Sequence, residues 1–120
     1  MKLRVKRVYD KPTRSDGRRI LVDRLWPRGL TKEEAEVDFW AKEVAPSTEL
    51  RQWYGHDSTK WQTFRSRYFS ELDEQPDAVD ELRTHLGKGM TTLLFSSKET
   101  RLNNAHALLE YLESGGRKKR

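Results

Sequence analysis

Two short apolar runs that do not alternate constrain this chain more than any other feature. Ile20-Leu-Val22, set between Arg19 and Asp23, and Met90-Thr-Thr-Leu-Leu-Phe95 are each continuous in their apolar or neutral side chains. A strand with one wet face alternates with period two, whereas a strand covered on both faces reads as an unbroken run. Each run therefore predicts a strand inside a covered sheet. Leu3, Val5 and Val8-Tyr9, interleaved with basic residues, predict a further strand ahead of them. Pro12, Ser15 and Asp16-Gly17 supply the turn between the first and second strands.

Between the second strand and Met90 the pattern becomes helical. Thr31 with Glu34 three residues on forms a capping box. Val37, Trp40, Ala41 and Val44 then fall on one helical face, predicting a helix that Pro46 ends. Ser47 can cap a short helix carrying Leu50, Trp53 and Tyr54, which Gly55 stops. A longer helix starts at Asp57 or Ser58, with Trp61, Phe64, Tyr68 and Leu72 as its stripe, and Pro76 breaks it. Val79, Leu82 and Leu86 mark the next helix, closed by Gly87 and Gly89. Asn103 or Asn104 caps a last helix with Ala105, Leu108, Leu109 and Leu112 on one face. The order predicts an α/β domain with a small parallel or mixed central sheet and helices packed on it. Three strands are readable, and a segment with helical spacing can hide a fourth.

The 120 residues suit one domain, expected over 1–114 and followed by a basic, solvated and disordered tail at 115–120. Only 34% of the chain is hydrophobic against 36% charged, but 12 aromatic residues supply large buried areas per side chain. Cysteine is absent, which excludes disulfides, thiolate chemistry and Cys-based zinc sites. No apolar run approaches the ~20 residues of a membrane helix, and the start MKLRVKRVYD lacks the apolar core of a secretory signal. The expected location is the cytoplasm, with no membrane partner. Charge is uneven: residues 1–30 hold ten basic and three acidic side chains, residues 31–116 ten and sixteen, and the last four residues are all basic.

Two polar segments leave the predicted strands. One is Asp23-Arg24-Leu-Trp26-Pro27-Arg28-Gly29, and the other is Ser96-Ser97-Lys98-Glu99 followed by Asn103 and Asn104. Ligands of open α/β sheets bind outside the carboxyl ends of the strands. If the two strands are parallel neighbours, these segments meet. Arg24 and Arg28 offer planar forks suited to phosphate or carboxylate. The last helix adds its N-terminus, Trp26 a face for stacking, and Asp23 a general base or a brace for an arginine. Ser97, Lys98 and Asn103 complete a site expected to bind a small anionic or nucleotide-like ligand, with action on that ligand as the stronger form of the same expectation. The catalytic group would be Asp23, Arg24 and Arg28. His106, in the first turn of the last helix, and His56, between helices, are further ligand contacts. His85 is expected on the wet face of its helix. No histidines stand at metal-ligand spacing, so no metal is expected. No Walker loop, G-x-G-x-x-G or G-x-S-x-G is present, and no cofactor is implied. The same residues also admit a structural role: Asp23 pairing with Arg24 at the sheet edge, and Trp26 plugging the core.

The run Ile20-Leu-Val-Asp-Arg-Leu-Trp-Pro-Arg-Gly29 resembles the signature of the YeaO-like family, grouped as domain of unknown function 488. Trp40-Ala-Lys-Glu-Val-Ala-Pro-Ser47, Glu49-Leu-Arg51, Trp53-Tyr-Gly-His-Asp57, Thr92-Leu-Leu-Phe-Ser-Ser-Lys98 and Asn103-Asn-Ala105 are similar to the same family. The resemblance covers nearly all of residues 3–113. It implies a compact α/β sandwich and no established activity. Its signature residues here are Asp23, Arg24, Trp26, Pro27, Arg28, His56 and Asn103. Family members often carry a histidine just before the matching Asn, where this chain has Leu102. If that histidine takes part in chemistry, this chain lacks the group unless His106 substitutes from the next turn.

Two other function classes compete. Nucleic-acid association would use the basic N-terminal strand and the basic C-terminal tail, and should weaken steeply with salt. A protein-interaction module would present an exposed patch around Trp53 and Tyr54.

Overall fold

The computed structural model describes residues 2–115, so residues 116–120 of the expected basic tail lie outside the described residues. Four strands form one sheet: β1 (Lys2–Arg7), β2 (Arg18–Leu21), β3 (Phe39–Trp40) and β4 (Met90–Phe95). The spatial order is β1-β4-β2-β3, and every pairing is parallel. The helices are α1 (Lys32–Ala35), α2 (Thr48–Tyr54), α3 (Trp61–Asp73), α4 (Pro76–Thr84) and α5 (Asn104–Glu113). β4, last in sequence, lies at the centre, with Leu93 opposite Val5 on one side and Ile20 on the other.

The two faces of the sheet are built differently. Leu3, Val5, Ile20, Val22, Leu93 and Phe95 join the main core with Leu50, Phe64, Tyr68, Leu82 and Leu108 from the four longer helices. The opposite face is thinly covered. Val8, Leu21 and Leu94 meet Ala35, Trp26, Leu30, Val37 and Trp40 there, beside an ionic cluster. Asp16, with no exposed surface, accepts from Arg19 Nη1 at 2.6 Å and Lys6 Nζ at 3.0 Å, and from Arg4 as well. Thr13 adds its N–H at 3.0 Å and its hydroxyl at 2.9 Å. Burial alone would raise the Asp16 carboxyl, but the Thr13 N–H, Lys6, the Thr13 hydroxyl and Arg4 outweigh it and hold it far below the usual carboxylate range. Gly17 follows at φ 65°, where a Cβ would collide with the carbonyl of Met90, so the turn closes against the start of β4 only with glycine.

The segment after α1 departs from the sequence expectation. The capping box of Thr31 and Glu34 forms, at 3.0 Å in both directions, but the helix lasts one turn. Glu36 adopts a left-handed conformation (φ 47°) and ends it. Phe39-Trp40 then becomes the edge strand β3. Asp38 N donates to Arg19 O, Ala41 N donates to Leu21 O, and Arg19 N donates to the Asp38 carboxylate, all at 2.8 Å. A two-residue strand is too short to show period two. The helical spacing of Val37, Trp40, Ala41 and Val44 arises from residues that sit in a turn, a strand and a short 3-10 segment (Lys42–Val44). His85 also differs from expectation: it caps α4 and stacks on Phe39 with ring centroids 3.7 Å apart.

Removing a charge partner from a buried cluster costs about 3–5 kcal/mol, so Asp16→Asn should lower the free energy of urea unfolding at neutral pH by about 3 kcal/mol or more. Because the folded-state Asp16 carboxyl titrates below the unfolded one, its contribution is complete above the unfolded value of about 4 and is lost as pH falls below it. The gap between parent and variant should therefore narrow on acidification below pH ~4. A gap independent of pH would contradict this assignment.

Candidate functional site

All four strands end on one edge of the sheet, and the segments that follow them enclose a cavity of about 570 Å³. Tyr9 follows β1, the run Asp23–Arg28 follows β2, Ala45 and Pro46 follow β3, and Ser96 and Ser97 follow β4. Arg51, Tyr54 and His56 come from α2 and its end, and Asn103 and Asn104 from the start of α5. The adjacency that the site requires, β2 beside β4 and parallel, is present.

Asp23 ties three of these elements together. Its Oδ2 accepts the N–H of Ser96 at 2.9 Å and the Ser96 hydroxyl at 2.7 Å. Its Oδ1 accepts from Asn104 Nδ2 at 3.1 Å, and the same amide donates to Val22 O at 3.2 Å. Trp40 Nε1 donates to the Asp23 carbonyl at 2.8 Å. Both carboxylate oxygens are thus engaged, and none of the ion pairs among the described residues joins Asp23 to Arg24. Asn103 is buried, caps α5 by accepting the His106 N–H at 3.1 Å, and donates to Glu99 O at 2.8 Å. Glu99 accepts the N–H groups of Leu102 and Arg101, which pull its carboxyl below the usual value and shape the approach to the helix.

The cations of the cavity are less committed. Arg24 donates from Nη2 to Ala45 O at 3.1 Å, while its Nε is shielded from solvent and has no partner. Arg28 and Arg51 are exposed. None of the three takes part in an ion pair among the described residues. The floor is aromatic. Tyr54 stacks on Phe64 with centroids 4.3 Å apart and donates its hydroxyl to Leu102 O at 2.7 Å. Burial, then Glu99 and Asp57, push the Tyr54 hydroxyl up, keeping it a neutral donor. Behind Arg24, burial chiefly, with Asp23 and Glu71 adding, raises the fully buried Tyr68 hydroxyl despite Arg24, and it donates to Val44 O at 2.5 Å. Tyr68 and Arg24 together hold the turn after β3.

The structure gathers most of the residues singled out from the sequence. Asp23, Arg24, Trp26, Arg28, Ser97, Asn103 and His56 line the one cavity. Trp26 does so from the thinly covered face of the sheet, packed edge-on to Trp40 at 5.4 Å with its Nε1 donating to Leu30 O at 2.7 Å. His56 sits at φ 59° directly after Gly55 at φ 52°, two consecutive left-handed residues after α2, and its ring lies 5.8 Å from that of Tyr54. Lys98 and His106 are not among the lining residues. His106 instead places Nε2 2.9 Å from Thr100 O. Tyr9, Arg51 and Tyr54 were missed as site residues. Tyr9 obeys the same strand-exit rule once β1 is known to be parallel to β4, and Arg51 lies inside one of the strings that carry the family resemblance. Among the described residues no group of three or more histidines and carboxylates could hold a metal ion, and no helix is long and apolar enough to cross a membrane.

The surface groups behind the other two function classes are divided. Arg4, Lys6 and Arg19 are engaged by Asp16, and Arg7 donates to the carbonyls of Ser97 and Ser96 at 2.9 and 3.1 Å. Trp53 is 36% exposed between Lys60 and Arg67, each 4.9 Å from its ring, while Tyr54 is buried.

The profile described as "Inactive DUF488-N3 subclade" matches residues 2–120. The chain is 44% identical to uncharacterized protein YeaO of Escherichia coli over 114 residues, covering 95% of this chain and 99% of that protein. It is 40% identical to uncharacterized protein Mb3100c of Mycobacterium bovis over 111 residues, 92% of this chain and 93% of the relative. Uncharacterized protein Rv3073c of Mycobacterium tuberculosis matches at the same identity and coverage. No solved structure matches at comparable significance.

Loss of the Asp23 carboxylate leaves the Ser96 N–H without its acceptor. An orphaned donor of this kind costs about 1–3 kcal/mol, so Asp23→Ala should lose about that much in chemical denaturation. A change within about 0.5 kcal/mol, the range of neutral surface substitutions, would show that the junction does not depend on it.

Proposed function

The chain belongs to the YeaO-like family, in the DUF488-N3 subclade described as inactive, and on that premise we propose that its cavity binds a small anionic ligand without transforming it. The observation that carries this is the set of three guanidiniums, Arg24, Arg28 and Arg51, around one concavity, with no carboxylate among the described residues paired to any of them. Clefts lined by one sign of charge concentrate the opposite ion, and guanidinium forks match phosphate and carboxylate oxygens in two-point fashion.

Three further features support binding over catalysis. Asp23, the one carboxylate lining the cavity among the described residues, has both oxygens taken by Ser96 and Asn104, so it serves as a clamp rather than a free base. His106, the group suited to substitute for the histidine replaced by Leu102, is directed to Thr100 O and does not line the cavity. The subclade's own description names it inactive. Nucleic-acid association loses part of its motivation, because Arg4, Lys6, Arg7 and Arg19 are spent on internal acceptors.

Titration calorimetry with inorganic phosphate, pyrophosphate and citrate at low salt tests this. Hydrogen bonds to charged groups contribute about 1.5–3 kcal/mol each, so Arg24→Ala and Arg28→Ala should each weaken binding by about tenfold or more. Arg51→Ala should act in the same direction. Unchanged affinity in the still-folded Arg24→Ala/Arg28→Ala variant, or no binding of any anion by the parent, would contradict the proposal.

A further inference from the structure

Tyr9 is an aromatic residue with no core to belong to. It joins neither apolar cluster, keeps 40% of its surface exposed, and stands in the wall of the cavity. Yet it is held firmly. The Arg7 guanidinium lies over its ring, 5.0 Å from the centroid, and is itself fixed by the carbonyls of Ser96 and Ser97. The Tyr9 hydroxyl donates to the carbonyl of Arg28 at 2.8 Å. One contact sets the ring face and the other sets its far end. The same hydroxyl bond ties the ring to the backbone of a cavity arginine.

A ring immobilised in advance and left open to a cavity offers stacking area at little ordering cost. The cavity also has more room than a bare anion needs. Its volume of about 570 Å³ falls in the ~300–1,000 Å³ range of pockets that enclose an organic ligand. Leu25, 66% exposed, with Pro27, Pro46 and Tyr54, adds apolar lining to the same cavity as the arginines. Charge alone does not require such a wall.

We infer that Tyr9 is the stacking platform of this site, and that the anion it receives carries a planar aromatic or heteroaromatic ring. This rests on anion binding by the cavity and narrows its ligand class. The anionic group meets Arg24, Arg28 and Arg51, and the ring lies on the face of Tyr9 that Arg7 leaves open. The cation under Tyr9 draws π density away from that face, which suits an electron-rich ring such as a purine.

The test compares adenosine monophosphate with ribose 5-phosphate, which has the same charged group and no ring, by calorimetry on the whole chain. Stacking of a base on an aromatic side chain supports about a tenfold preference for the nucleotide in the parent. Tyr9→Leu should bring that ratio close to one, and Tyr9→Phe should keep it, because the ring and its Arg7 contact survive without the hydroxyl. Equal binding of the two ligands by the parent would overturn the inference while anion binding stands. A preference that survives Tyr9→Leu would place the ring elsewhere and overturn it as well. If neither ligand binds, anion binding itself fails, and this inference with it.

Discussion

The parallel pairing of β4 with β1 on one side and β2 on the other determines where every later feature sits. Parallel strands cannot be joined by tight turns, so each connection must travel back along the sheet. Those returns here are the loop before β2, the α1 turn and the run of helices α2 to α4. One edge is left for the four strand exits. Because β4 is central, the Ser96 backbone and hydroxyl come within reach of Asp23 at the exit of β2. Arg7 at the exit of β1 reaches the carbonyls of the same Ser96-Ser97 pair from the other side. The cavity is a consequence of this edge rather than an addition to it.

The asymmetry of the two faces explains how so polar a chain folds. Four helices bury an aromatic and aliphatic core against one face. The other face gets little apolar cover, and a charged cluster centred on Asp16 replaces it. Buried ion pairs contribute little net stability unless every lone pair is satisfied, and Asp16 meets that condition through Thr13, Lys6, Arg4 and Arg19. The same arrangement takes basic residues out of solution at the start of the chain, so formal charge overstates what the surface offers to a polyanion.

The two strands that sequence made plainest, β2 and β4, are those buried on both faces, where continuous apolar runs are physically required. Helix ends were legible where a side chain caps them: Thr31, Ser47 and Asn103 each accept the expected backbone N–H. β3 was not legible, because two residues carry no periodicity and the hydrogen bonds that make it a strand come from Arg19 and Leu21, far away in sequence. At the site, Asp23, Arg24 and Arg28 could be found from the strand-exit rule, but the saturation of Asp23 by Ser96 and Asn104 depends on tertiary placement. Tyr9 is not legible as a site residue for the same reason: nothing local shows that β1 ends beside β4. The helical turn alone puts His106 near the site, whereas the direction of its ring toward Thr100 is set by the loop before it.

Anion binding at the strand-exit edge is the central claim, and chemical-shift mapping examines it without relying on any substitution. Phosphate would be titrated into isotopically labelled protein and amide shifts followed residue by residue. The expected result is saturable perturbation confined to the amides of Arg24, Leu25, Trp26 and Arg28, Arg51 to His56, Ser96, Ser97 and Asn104, with the face around Asp16 unmoved. Perturbation spread along Lys2–Arg7, or no saturable change at the strand exits, would contradict it.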